Sequence, residues 1–196
     1  MAWYDEAVFY HIYPLGLTGA PTENPYGEPV HRINTLIPWI THCREIGCNA
    51  LYIGPLFESV GHGYETTDYK KLDSRLGDNQ DLTAFVKACH DQGIRVILDG
   101  VFNHVGRDFF AFQDVKRNRE NSAYKDWFCN VNFWGNNEYN DGFSYENWAA
   151  ITCWSSSTSA ARRCAIISAM WCASGCASST STASAWTPPM CWILIL

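Results

Sequence analysis

The apolar positions of this chain follow two alternating periods through its first three quarters. Phe9 to Tyr13 is a short β-rich run stopped by Pro14, and Asn49 to Ile53 and Arg95 to Leu98 are two further runs of nearly continuous apolar character. Between them the spacing becomes helical. Ile33, Leu36, Ile37, Ile40 and Cys43 share one face between Pro29 and Gly47, and Leu82, Phe85, Val86 and Cys89 share one between Asp81 and Gln92. Gly47 and Gly93 supply the stops, and Asp78 or Asn79 the start of the second helix. Three strand-then-helix units in order, with strands apolar on both faces, predict an α/β fold built on a parallel sheet covered by helices.

That pattern ends at Ala149. Residues 149–196 contain no Asp, Glu or Lys and only two Arg, while Ser, Ala, Thr, four Trp and five Cys dominate. A solvated linker would hold Gly, Pro and charge, and a membrane span would need about twenty consecutive apolar residues, which the Ser and Thr interrupt. The chain therefore divides into a natural unit over 1–148 and a tail over 149–196 that is no genuine domain and is expected to be unstructured or arbitrary. An open sheet of three strands would then leave an unpaired edge and favour aggregation.

Length and charge narrow the picture. The 196 residues, 47% hydrophobic and 17% charged, suffice for one core but fall short of an eight-unit barrel of about 250 residues. A net charge of -6 lacks the Lys and Arg clusters that nucleic acid or an anionic membrane demands, so a neutral ligand is expected. Aromatic residues make up 15% of the chain, and their flat faces suit sugar rings. Asp5 and Glu6 near the start, with no basic or long apolar stretch, predict a cytoplasmic protein without a signal peptide. Cys43, Cys48, Cys89 and Cys129 are scattered, and the CxxxC of Cys172 and Cys176 has no second pair, so neither a disulfide framework nor a zinc site is read there.

The segment Val96 to His104, VILDGVFNH, places a carboxylate, an amide and an imidazole just past the end of the third strand, the edge of a parallel barrel where chemistry occurs. DGVFNH resembles the first conserved motif of the alpha-amylase family of glycoside hydrolases. FYHIYP, ALYIGPLFES, HGYETTDY and RLGDNQDLTAFVKACHDQGIRVILDGVFNH follow that family's early landmarks in order, and the likeness covers essentially all of Met1 to Trp148. Within the family the text looks most like the cytoplasmic neopullulanase and cyclomaltodextrinase group, which splits small maltodextrins. The resemblance implies a partial TIM (β/α)8 barrel: the first three βα units and part of the long loop after strand 3. It also implies roles. Tyr64 would stack on the sugar at the cleavage subsite, His104 would hydrogen-bond that sugar's hydroxyls, Asp99 would anchor the loop beneath them, and Asn103 would fix the loop or ligate calcium as in some members.

A retaining glycosidase needs two carboxyls about 5 Å apart, one as nucleophile and one as acid/base. The family carries them, and a third carboxylate, after later strands, so no catalytic residue is present here and the chain as written is expected to be inactive. Asp108, Asp114, Glu120, Asp126, Glu138, Asp141 and Glu146 all precede the fourth strand and are expected to be solvated surface. Read two nucleotides out of register, however, the tail resembles the missing text. Trp186 followed by Thr187 must encode GAC, an Asp; Met190 followed by Cys191 must encode GTG, a Val; Trp192 followed by Ile193 gives GAT, again an Asp. With permitted bases elsewhere, Cys176 to the end becomes REFDIDGVRLDAADVLDFDF, which is similar to the family's fourth-strand motif with the nucleophile at the forced Asp. A single-base deletion just after the Trp148 codon is thus expected. The alternatives are a glucan transferase of the same family and a non-catalytic carbohydrate-binding protein that keeps Tyr64 and His104 as a sugar platform.

Overall fold

The computed structural model describes residues 3–102 and 104–147 in full, and the backbone of 148, 151–152, 182–184 and 192–195. Asn103 and the rest of the tail lie outside the described residues. A 3-10 turn over Trp3–Glu6 leads into β1 (Phe9–Ile12), a one-turn helix α1 (Pro14–Leu17), and α2 (Ile37–Glu45). Then come β2 (Ala50–Ile53), the hairpin of β3 (Phe57–Ser59) and β4 (Thr66–Leu72), α3 (Asn79–Asp91), β5 (Arg95–Gly100) and α4 (Phe110–Asn118). The backbone further on forms β6 (Asn147–Trp148), β7 (Ile151–Thr152), β8 (Thr182–Ser184) and β9 (Trp192–Ile195).

The predicted parallel sheet is present. Strands β1, β2 and β5 pair in parallel, with Phe9 beside Ala50 and Ala50 beside Arg95. Leu51, Ile53, Val96 and Leu98 are buried together with Ile40 and Cys43 of α2 and Phe85 and Cys89 of α3, so one sheet face and the two predicted helical stripes form the core. The opposite face is the interior of an unclosed barrel. It carries His11 against Tyr52, ring centroids 4.7 Å apart, while Phe9 and Tyr13 stay 47% and 39% exposed.

Three details depart from expectation. The segment from Pro29 to Gly47 is not one helix: Arg32–Leu36 is a 3-10 turn and the α-helix begins at Ile37, because Pro38 in the first turn removes a donor and blocks continuation from upstream. The hairpin β3–β4 is not among the three predicted strands. Its strands bury polar Thr66 and Thr67, which apolar periodicity does not flag. The edge of β5 is also not open, since β9 lies antiparallel along it, with Asp99 opposite Ile193, and β8 pairs with β9 beyond. The exposed amides of a strand edge accept an apolar segment such as WILI in either direction. The antiparallel sense is not that of a barrel's fourth strand, and the barrel is not closed.

Helix α3 starts as predicted. Asp78 accepts from the backbone N–H groups of Gln80 at 2.8 Å and Asp81 at 2.9 Å, and Asp81 Oδ2 accepts from the Asp78 N–H at 2.9 Å, a reciprocal capping box. Gly77 precedes it with φ +150, and a Cβ there would lie 2.4 Å from Asp81 Oδ2. His31 Nδ1 sits 2.5 Å from the same oxygen. That hydrogen bond holds the His31 pKa above its ordinary value. Desolvation pushes Asp81 up, but the Asp78 N–H and His31 outweigh it and hold the carboxyl low. The histidine's contribution is complete below about pH 6.5 and is lost as pH rises through its raised folded value; the carboxylate's is complete above about pH 4 and is lost as pH falls through its lowered value. His31→Ala should therefore lower the urea midpoint more at pH 5.5 than at pH 8.5, and an equal shift at both would rule out the pair as a stabilising contact.

Candidate functional site

Tyr64 and His104 meet beyond the C-terminal ends of the parallel strands, and Asp99 stands at the end of β5. Asp99 is the penultimate residue of β5, 1% exposed, on the interior face that His11 and Tyr52 share. His104 follows four residues after β5 and is 8% exposed. Its ring hydrogen-bonds the backbone of Tyr64, and its backbone carbonyl accepts from the Tyr69 hydroxyl at 3.3 Å. Tyr69 also donates to the Val101 carbonyl. His104 is thus held between β4, through its backbone, and the loop that carries Tyr64, a residue 36% exposed.

The two loops approach closely enough to need a glycine. Gly106 N donates to the Thr66 carbonyl at 2.8 Å, and a Cβ on Gly106 would meet the Glu65 carbonyl oxygen at 2.5 Å. Any larger residue there would push the tyrosine loop off the histidine. Burial drives the His104 pKa below its ordinary value, against the raising effects of the Tyr64 backbone and Glu65, so the ring is neutral at pH 7 and can both donate and accept a hydrogen bond.

Sequence reasoning missed what holds the Tyr64 loop. His62 Nε2 pairs with Glu65 Oε1 at 2.7 Å, spanning Tyr64, and the Tyr13 hydroxyl donates to the His62 carbonyl at 2.8 Å. The three-residue spacing of His62 and Glu65 inside HGYETTDY was the available signal. Glu65 Oε2 is buried and meets no hydrogen-bond donor among the described residues. Beside this loop, Tyr26 takes φ +51 and its hydroxyl meets Asp108 Oδ2 at 3.4 Å, with burial and that carboxylate raising the phenol pKa to about 12.

The excursion after β5 is tied back to the site by Arg107. Its guanidinium donates twice to Asp141, both at 2.9 Å, donates to the Tyr145 hydroxyl, and lies 3.7 Å from the centroid of the Tyr139 ring. Asp141 also meets Lys116 Nζ at 3.2 Å, and its side chain is 4% exposed. The expectation that Asp141 belongs to a solvated surface is therefore corrected. Desolvation raises its carboxyl pKa, yet Arg107, Asn137 and Lys116 together hold it low, so it is an ionised anchor rather than an acid/base group. Glu146, by contrast, meets only Asn130 Nδ2, at 2.7 Å, among the hydrogen bonds found for its side chain, and Asp126 is exposed.

Residues 33–158 match the alpha-amylase family described as "Alpha amylase, catalytic domain", a match that runs past Trp148, and this chain belongs to that family. It is 40% identical to a cyclomaltodextrinase of Bacillus sp over 65% of this chain and 25% of that protein. It is 39% identical to neopullulanase 2 of Thermoactinomyces vulgaris over 64% and 24%. Among solved structures, the cyclic alpha-maltosyl-(1-->6)-maltose hydrolase of Arthrobacter globiformis superposes with a TM-score of 0.68 at 28% identity, over 88% of this chain and 43% of that one. The chain spans about a quarter of the length of the curated relatives it matches. The partial barrel is thus a partial family domain, with parallel strands and no closure.

Proposed function

We propose that the intact gene encodes a retaining hydrolase of α-1,4 or α-1,6 glucosidic bonds in maltodextrins, and that this chain carries the first part of its catalytic barrel followed by out-of-frame text after Trp148. The observation that carries the reading is the tie between the His104 ring and the Tyr64 backbone at the C-terminal ends of the parallel strands. In this reading Tyr64 stacks on the sugar beside the cleaved bond and neutral His104 hydrogen-bonds its hydroxyls. Asp99 anchors the loop below through its buried carboxylate, and Asn103 fixes the loop. A calcium ion on Asn103 rests on the resemblance alone, and no step needs it.

The ligand class is supported by a solved complex of the Arthrobacter globiformis hydrolase with maltose. A cytoplasmic location is in keeping with an intracellular maltogenic amylase of Bacillus subtilis, 31% identical to this chain. Among the described residues no helix is long and apolar enough to cross a membrane. Resequencing the gene through the Trp148 codon and several hundred bases beyond tests the proposal. One additional G, followed by a G-x-R-x-D motif and later Glu and Asp residues in frame, is the expected result. If no frame beyond Trp148 carries these motifs, the hydrolase reading fails and the non-catalytic sugar platform takes its place.

A further inference from the structure

The cysteines of the natural unit are scattered along the chain, yet three of them converge in the fold. Cys43, Cys48 and Cys89 all belong to the core, at 0%, 8% and 0% exposed. The end of α2 sets the first two against each other. Gly47 takes φ +87, the Gly47 N–H donates to the Arg44 carbonyl at 3.0 Å, and the Cys48 N–H donates to the Cys43 carbonyl at 2.9 Å. These two bonds define a Schellman cap, which folds the residue after the glycine back over the last turn and packs its side chain against that of the residue five positions earlier. Here both residues are cysteines. The Cys48 thiol is close enough to add to burial in holding the Cys43 pKa above its ordinary value. Standard backbone dimensions and the 2.9 Å hydrogen bond keep the two Cα atoms within about 7 Å, the reach of a disulfide.

Helix α3 ends in the same cap. Gly93 takes φ +75, and the N–H groups of Gly93 and Ile94 donate to the His90 and Cys89 carbonyls at 2.9 and 3.0 Å. Cys89 therefore occupies the place that Cys43 holds in α2, but the residue folded back on it is Ile94, and burial, with Cys43 as the lesser cause, pushes its thiol up to about 12. Of the two caps, the one on α2 alone offers a pair of sulfurs. The backbone beside Cys48 is also fixed in advance. The Asn49 N–H donates to the Val8 carbonyl at 3.1 Å and the Asn49 carbonyl accepts from the Arg95 N–H at 3.0 Å, so the residue after Cys48 is pinned to the chain on both sides of β2. A bond between side chains that the native backbone already holds together adds little strain to the folded state.

We infer that Cys43 and Cys48 are a reversible disulfide site at the C-terminal cap of α2, closed by a low-molecular-weight disulfide such as oxidised glutathione. Cys48, at the rim of the core, loses its proton and attacks one sulfur of the oxidant, expelling a glutathione thiolate that takes the proton up. Cys43 then loses its proton and attacks the Cys48 sulfur of the mixed disulfide, expelling the second glutathione, which leaves as a thiol. Two protein thiols have lost two hydrogens and one glutathione disulfide has become two thiols. The test equilibrates the full chain with reduced and oxidised glutathione, natively and in urea, then quenches with acid, alkylates the remaining thiols and digests with trypsin. Cleavage after Arg44 puts Cys43 in peptide 33–44 and Cys48 in peptide 45–70, so the disulfide is read by mass as a linked pair that reduction separates. The ratio of linked to free peptide should be about ten-fold higher from the native chain than from urea. Oxidation should also raise the urea midpoint of the wild type and leave that of Cys48→Ala where it is. A ratio from the native chain no higher than from urea, or a principal link from Cys43 to Cys89 in peptide 88–95 or to a cysteine of the tail, overturns the inference. So does a midpoint that rises on oxidation as much in Cys48→Ala as in the wild type. The peptide ratio needs no variant and decides the matter even where Cys48→Ala fails to fold.

Discussion

Maltotriose incubated with the 196-residue chain will be recovered uncleaved, at a rate no higher than in buffer, while the product of the frame-restored gene will hydrolyse it. On the hydrolase reading, Tyr64 and His104 are the groups that bind the sugar, and Asp99 lies buried near the end of β5. None of these is a paired carboxyl positioned to attack an anomeric carbon and then protonate a leaving oxygen, which is what cleavage with retention needs. The carboxylates of the excursion do not substitute, because Asp141 is locked to Arg107 and Lys116 and Asp108 faces Tyr26. In the restored protein the Asp encoded across the Trp186 and Thr187 codons would supply the nucleophile. Changing that residue to Asn should lower kcat by about 10⁴-fold or more. Chromatography of the products reads both arms, and glucose release by the chain as it stands would sink the assignment of the missing nucleophile.

What could be read from the sequence was whatever repeats with a period. Apolar runs at Phe9 to Tyr13, Asn49 to Ile53 and Arg95 to Leu98 pointed to the parallel sheet, and Asp78 or Asn79, of which the structure uses Asp78 as the cap, marked the start of α3. The cluster of Tyr64 with His104 was legible through motif order, although Asn103 lies outside the described residues. Charged residues that pair in space left no such trace. Asp141 looks in the sequence like its solvated neighbours, and becomes an anchor only because Arg107, distant in the chain, sets one guanidinium nitrogen against both of its carboxylate oxygens. The polar interior of β3–β4 is hidden for the same reason, since hydrogen-bond satisfaction is a property of the folded arrangement.

The largest stability effect is expected from one such hidden residue. Asp73 is 0% exposed and gathers donors from three directions. Oδ1 accepts from Arg75 Nε at 2.8 Å and the Arg75 N–H at 3.0 Å; Oδ2 accepts from another Arg75 guanidinium nitrogen at 2.8 Å, from Ser59 Oγ at 2.9 Å and from the Ser59 N–H at 3.2 Å. Arg75, 2% exposed, spends its remaining donors on Ser59 Oγ at 3.0 Å and on the carbonyls of Pro21 at 2.9 Å and Thr22 at 3.2 Å. One buried ion pair thereby ties the loop after α1, β3 and the end of β4 together below the Tyr64 loop. Asp73→Ala would leave the guanidinium buried without its counter-charge, at a cost of about 3–5 kcal/mol, a large share of the roughly 5–15 kcal/mol that a domain has. Replacing both partners, Asp73→Leu with Arg75→Met, removes the stranded charge and should cost less than the single change. The exposed pair Lys87–Asp91, with side chains 73% and 61% exposed, provides the contrast: Asp91→Ala should stay within about 1 kcal/mol. Urea unfolding at low protein concentration ranks the three, and an Asp73→Ala midpoint equal to the wild type would mean that water, and not the Arg75 guanidinium alone, already reaches this carboxylate.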